Sequence, residues 1–247
     1  CVVMTGEPMA PHDSPEAMSE GQNVVIGNRL YRFCCKACVR KFKKNQKKYD
    51  DMLAEMIIKQ QSESYPIEVC VISGRKLPAD GGKVLIHDGA GDKKQAGREF
   101  RFCCNGCLGS FKKEPAKFIP KVDELIITQQ LPRYPVNATC PVMEDEALPD
   151  PTGPEARDCK LVVSRNRLVR LCCTRCIRKF SKDPVRYLEI LDAAVIAEAK
   201  ASGRITTCPM SGKDLTEKAN WFVIGDQAVG TCCGGCRRRA ESDPRKT

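Results

Sequence analysis

Sixteen cysteines, set out in four groups of four at a nearly constant interval, constrain this chain more than any other feature. RFCCKAC (Arg32–Cys38), RFCCNGC (Arg101–Cys107), RLCCTRC (Arg170–Cys176) and GTCCGGC (Gly230–Cys236) align directly. Upstream of each stands one leading cysteine. These are Cys1, Cys70, Cys140 and Cys208, separated by 69, 70 and 68 residues. Self-similarity at a fixed period marks a repeated supersecondary unit. The register continues past the cysteines: four residues on come Phe42, Phe111, Phe180 and Ala240, and eight on come Gln46, Pro115, Pro184 and Pro244. Eleven on come Tyr49, Phe118 and Tyr187, while Thr247 ends the chain. The expected modules are residues 1–65, 66–134, 135–203 and a shortened 204–247. Cys159 is the seventeenth cysteine and has no counterpart in the other units.

Ahead of each cysteine pair runs an alternating, β-branched stretch broken by a turn: VVIGNRLYRF, LVVSRNRLVRL and WFVIGDQAVGT. Gly27-Asn28, Arg165-Asn166 and Gly225-Asp226 stand where hairpin turns belong. KVLIHDGAGDKKQAGREFRF predicts a second hairpin with a longer loop. The final Cys of each group is expected to open a short basic helix, as in CVRKFKKN and CIRKFSKD. Pro115, Pro184 and Pro244 fit the first turn of a second helix, where a missing N–H is harmless. That helix carries apolar residues at helical spacing: Tyr49, Met52, Leu53, Met56 and Ile57; Phe118, Val122, Leu125 and Ile126; Tyr187, Leu188, Leu191 and Val195. The expected class is α+β, each small module reading as knuckle, hairpin and two helices.

A module of about 70 residues has a marginal core and gains from staples. Only 6% of the residues are aromatic. Disulfides and metal are the two staples available. Neighbouring Cα atoms lie about 3.8 Å apart, below the roughly 4.4–6.8 Å that disulfides use, so a vicinal pair is poorly placed to bridge itself. Bridges to the other cysteines of a module stay open, and with them a disulfide-stapled secreted protein. A close pair of thiolates at a hairpin–helix junction, closed by a distant Cys beside a turn, is how thiolate zinc sites are assembled. Gly6, Gly74 and Gly212 supply that turn, whereas the third module has Met143-Glu144-Asp145. The two histidines, His12 and His87, fall in loops at unmatched positions and read as surface residues.

The run Cys-Pro-Met-Ser-Gly (Cys208–Gly212), a hairpin, then Phe-Cys-x-x-x-Cys, Phe and Pro-x-x-Tyr or Phe resembles the TRASH/YHS group of metal-binding modules, related to MYM-type zinc fingers. The resemblance covers essentially all four units. Its hallmark triplet maps to Cys1, Cys34 and Cys38; Cys70, Cys103 and Cys107; Cys140, Cys172 and Cys176; and Cys208, Cys232 and Cys236. It implies tandem treble-clef-like modules, each around one metal, and a role in heavy-metal sensing, handling or trafficking. The chain departs from the pattern by a longer gap in units one to three and by a second Cys after the first of the pair.

That second Cys (Cys35, Cys104, Cys173, Cys233) is either the fourth ligand of a tetrahedral zinc or a buried small side chain. With it, sixteen thiolates hold about four Zn(II) per chain. Without it, three per site suit Cu(I) or another soft ion. The formal charge is +10; four tetrathiolate zinc sites would lower it to roughly +2. Arg40, Lys41, Lys43 and Lys44, Lys112 and Lys113, Arg178 and Lys179, and Arg237, Arg238 and Arg239 flank the ligands. They balance thiolate charge, or else form a phosphate-binding stripe. Aromatic interleaving is sparse, so nucleic acid is a minor expectation beside metal ions and a protein partner met through the helices. A scaffold with purely structural zinc is the alternative function.

Met4, Met143 and Met210 sit near the leading cysteines and read as packing groups, with soft ligation as a secondary reading. No apolar run approaches the roughly 18–20 residues of a membrane span. No phosphate loop or nucleophile elbow is present, so no enzyme is expected. The missing initiator Met suggests a processed or trimmed chain. The compartment is left open, with the bacterial cell envelope one candidate.

Overall fold

The alternating stretches do fold as antiparallel hairpins, because their side chains must face a small core on one side only. The structure, a computed structural model, describes residues 1, 3–4, 22–26, 29–61, 65–136 and 138–242. Among them are ten strands: β1 (Gln22–Ile26), β2 (Arg29–Phe33), β3 (Lys83–Ile86), β4 (Glu99–Phe102), β5 (Thr139–Cys140), β6 (Met143–Ala147), β7 (Lys160–Ser164), β8 (Arg167–Leu171), β9 (Asn220–Ile224) and β10 (Gln227–Thr231). They pair consecutively into five two-stranded sheets. Arg165 and Asn166 at the β7–β8 turn have φ of 49° and 62°, the positive pair of a type I′ turn. Gly27-Asn28, Gly6, His12 and Pro244 lie outside the described residues.

The described residues also form seven α-helices: α1 (Lys36–Lys44), α2 (Gln46–Gln61), α3 (Asn105–Lys113), α4 (Pro115–Gln130), α5 (Thr174–Phe180), α6 (Pro184–Ser202) and α7 (Gly234–Ser242). Each helix after a cysteine pair opens earlier than the sequence suggests. Cys35, Cys104 and Cys173 are N-cap residues, so the final Cys is the third helical residue rather than the first. Pro115 and Pro184 do occupy the first turn of α4 and α6. The Asp183 carboxylate caps α6 by accepting the Arg186 N–H at 3.3 Å.

The chain divides into two compact units. One comprises Cys1–Ser62 with Val84–Phe100, the other Glu63–Lys83 with Arg101–Thr247. In the first unit, Phe33 and Phe42 are fully buried with ring centroids 5.1 Å apart. Tyr49 stacks on Phe42 at 5.8 Å, and Tyr31 donates from its hydroxyl to Asp50 at 2.6 Å. His87 also lies in this unit and is not a surface residue. It is buried, its Nδ1 accepts the Gly89 N–H at 2.9 Å, and its ring meets Phe100 edge-on. A loop histidine turned inward has no signature in local sequence.

In the second unit each long helix covers the hairpin of the module that follows it: α4 packs on β7 and β8, and α6 on β9 and β10. Val122, Ile126 and Ile127 are buried on α4. Two residues expected on apolar faces are instead exposed, Leu125 in α4 (39%) and Met56 in α2 (46%). Gln130 at the end of α4 clasps the next turn, its Nε2 donating to the Asn166 carbonyl at 3.1 Å and its Oε1 accepting the Leu168 N–H at 2.6 Å. The Tyr-Pro linkers are not slack. The Tyr65 hydroxyl accepts the Arg101 N–H at 3.3 Å, and the Tyr134 hydroxyl accepts the Arg170 N–H at 3.2 Å. Each guanidinium lies over the same ring, 4.9 and 5.3 Å from the centroid.

Candidate metal centre

Each centre is built from a knuckle, the end of a hairpin and the first turn of a helix. In the second module the Cys70 N–H donates to the Arg75 carbonyl at 2.8 Å, and the Gly74 N–H to the Cys70 carbonyl at 2.7 Å. The fourth repeats this with Cys208, Lys213 and Gly212 at 2.7 and 2.8 Å. Gly74 and Gly212 have φ of 69° and 67°, left-handed values that a Cβ disfavours. The third module reaches the same end by another route, pairing Cys140 with Met143 across the short β5–β6 ribbon.

The hairpin delivers the first Cys of the pair, and the helix delivers the last, four residues on. Cys34 and Cys38 sulfurs are 3.5 Å apart, Cys103 and Cys107 3.7 Å, Cys172 and Cys176 3.6 Å, and Cys232 and Cys236 3.7 Å. The leading Cys completes each set. The sulfurs of Cys1, Cys34 and Cys38 lie within 4.8 Å of one another, as do those of Cys70, Cys103 and Cys107, of Cys140, Cys172 and Cys176, and of Cys208, Cys232 and Cys236. All seventeen cysteines are free thiols. Sulfurs bound to one tetrahedral zinc at about 2.3 Å stand about 3.8 Å apart, and those of a trigonal site about 4.0 Å. The paired sulfurs sit near the tetrahedral edge and far from an S–S bond of about 2.05 Å. The donor set fits a soft or borderline ion.

Cys35, Cys104, Cys173 and Cys233 lie outside these triplets among the described residues. They stand at the rim: three are exposed and Cys173 is half-buried. The Cys173 sulfur is 3.7 Å from that of Cys176.

Two hydroxyls join these sites that the cysteine pattern does not announce. Ser73 Oγ is 3.3 Å from Cys103 Sγ, and Ser211 Oγ is 3.3 Å from Cys232 Sγ. The repeated Ser-Gly of CVISG and CPMSG is their signal. Met4 and Met143 are exposed. Of the basic residues that flank the ligands, Arg239 meets a ligand sulfur directly, its guanidinium donating to Cys236 Sγ at 3.1 Å. Cys159 is buried, and its sulfur accepts the Arg170 Nε–H at 3.3 Å.

Crowded thiols cannot all ionise without a cation. Burial pushes Cys38 up to about 12, helped by hydrogen bonds that the Cys34 and Cys35 sulfurs make to it. Burial likewise lifts Cys107 to about 12 and both Cys176 and Cys236 to about 11. The leading thiols go the other way. Burial raises Cys70, but the Cys103 N–H and the Ser73 hydroxyl outweigh it and bring it to about 6. Burial opposes the same fall in Cys208, where the Ser211 hydroxyl and the Cys232 N–H lower it to about 6. A bound cation would favour the thiolate throughout each cluster.

Residues 16–54 match the family described as the C-terminal TRASH domain. That match and the four triplets fit a TRASH-type metal-binding family, with the module in multiple copies. No curated protein and no solved structure matches the chain. The helices, small hairpins and cysteine clusters fit zinc-finger-like α+β modules. Together these findings support a metal-binding role. Among the described residues, no helix is long and apolar enough to cross a membrane.

Proposed function

We propose that this chain is a metal-binding repeat protein that takes one thiophilic ion per module, zinc foremost, and serves heavy-metal handling without catalytic chemistry of its own. The observation that carries this is the fourfold convergence of three sulfurs, drawn from a knuckle, a strand end and a helix. Zinc is favoured by the 3.5–3.7 Å sulfur spacing, close to the edge of a tetrahedral thiolate site; a further thiol stands beside each triplet without belonging to it. Handling, rather than inert structure, is favoured by the solvent access of those further thiols. Because metal binding and folding are linked, each ion also holds its own module together.

The test is elemental analysis of full-length protein purified without reductant. About four zinc ions per chain are expected, with most cysteines recovered as thiols after chelation. Protein that stays metal-free and takes up neither Zn(II) nor Cu(I) at neutral pH would overturn the reading. Preferential uptake of Cu(I) at three thiolates per ion would replace zinc with a softer cargo.

A further inference from the structure

The four modules share a second regularity that metal holding alone does not use. Three sulfurs of each group converge, while the fourth stands beside them at the mouth, exposed in three modules and half-buried in the third. In chain terms the reason is local. The first Cys of the pair ends the hairpin and turns toward the Cys four residues on. The second is the N-cap, an extended residue at the open start of the helix. Cys35, Cys104 and Cys173 adopt nearly one backbone conformation, with φ of −159°, −158° and −153° and ψ of 168°, 169° and 168°. In the fourth module the Cys233 carbonyl likewise accepts the first helical N–H, from Arg237, at 3.0 Å. Beneath these rim thiols Cys38, Cys176 and Cys236 are buried, as are Cys70, Cys140 and Cys208. Cys1, Cys34, Cys103, Cys107, Cys172 and Cys232 are half-buried, so in the first, second and fourth modules an ion arriving from solvent meets the exposed rim sulfur first. In the third module that sulfur is 3.7 Å from the last Cys, against 3.6 Å for the inward one, so handover is a short step.

We propose that Cys35, Cys104, Cys173 and Cys233 are exchange ligands, through which each module captures a thiophilic ion from a soluble metal–thiolate or metal–chelate donor. This rests on the metal-handling reading and adds a division of labour among the four sulfurs. The rim thiolate forms a metal–sulfur bond as one donor–metal bond breaks, and the freed donor atom takes up the proton that the rim thiol released. The three triplet sulfurs then take over the ion, replacing the remaining donor bonds and the rim bond; those still protonated pass their protons to the freed donor atoms and to the released rim sulfur. No electron is transferred, and the ion keeps its oxidation state.

The test uses the full chain and Zn(II) presented on a chromophoric chelator. Wild-type apoprotein should strip the chelator rapidly and reach the same zinc content as purified holoprotein. The variant C35S/C104S/C173S/C233S should reach the zinc content of the wild type but at least tenfold more slowly. Equal content with an unchanged rate overturns the exchange role and leaves the metal-binding reading standing. A variant that loses its zinc shows the rim sulfurs to be holding ligands, which also overturns the exchange role alone. A wild-type chain that takes up no zinc overturns both. Should the variant fail to fold, zinc-loaded wild type is alkylated and mapped by mass spectrometry. The four rim thiols should react at least tenfold faster than the twelve inward ones with zinc retained, and equal protection of all sixteen overturns the proposal.

Discussion

The first and fourth modules reach similar cysteine geometry with unlike interiors. Around its triplet, the first packs Tyr31, Phe33, Phe42 and Tyr49. At the places of Phe33 and Phe42 the fourth has Thr231 and Ala240, both fully buried and both small. Where the other modules carry Arg32, Arg101 and Arg170, the fourth has Gly230. A Cβ there would come within 2.5 Å of Leu215 Cδ1 and 3.2 Å of the Trp221 ring. Leu215 and Trp221 thus fill space that the second and third modules give to an arginine stacked on a linker tyrosine. The comparison teaches that sulfur convergence does not need the aromatic core, so the share of stability owed to the ion differs between modules.

The largest effect expected is from removing metal. Coordination in zinc-finger peptides contributes about 10 kcal/mol or more per site at neutral pH. Chelation should therefore release amide-exchange protection throughout β9 and β10, while Tyr31 and Phe33 keep part of theirs. Equal loss in both modules would break the comparison. Next, Phe42→Ala should cost about 3–5 kcal/mol in urea unfolding, because a fully buried ring leaves a cavity. Gly230→Ala comes next, at about 1–3 kcal/mol, through overpacking against Leu215. The smallest is Gly212→Ala, at about 1 kcal/mol. It has φ of 67° but open space around it, so only the backbone is strained. An Ala at 212 costing more than one at 230 would reverse the assignment of strain.

Acidity sharpens the same picture at the ligands. Cys70 and Cys208 sit near 6, while Cys107 and Cys236 are pushed to about 12 and about 11. At pH 7 a leading thiolate is already present, whereas the last Cys holds its proton and must release it to bind. Falling pH returns those protons, so affinity falls with it. With about two protons displaced per ion, zinc affinity should drop about a hundredfold per pH unit below neutrality. Competition titration at pH 7.5 and 6.5 measures this, and a flat profile would contradict thiolate ligation.

Much of this is legible without coordinates. The cysteine period points to four modules, the alternation places the hairpins, and Pro115 and Pro184 mark helix starts. The true starts of the helices that follow the cysteine pairs are hidden, because an N-cap Cys lacks the side-chain signature of Ser or Asp. Met56 and Leu125 fit the apolar spacing yet stand exposed, since spacing gives a face but not its width. His87 reads as a surface loop residue because nothing adjacent to it in sequence shows that Phe100 and Gly89 receive it.

Ligand chemistry and repetition belong to the sequence itself, because thiolate identity and chain spacing are local properties. Tertiary structure alone decided that one module's long helix would seal the next module's hairpin, and that Gln130 and Tyr134 would clasp strands some 36 residues away. It also decided which sulfur of each vicinal pair turns inward and which remains at the rim. Those outcomes depend on packing between distant segments, and no short stretch of residues encodes such contacts by itself.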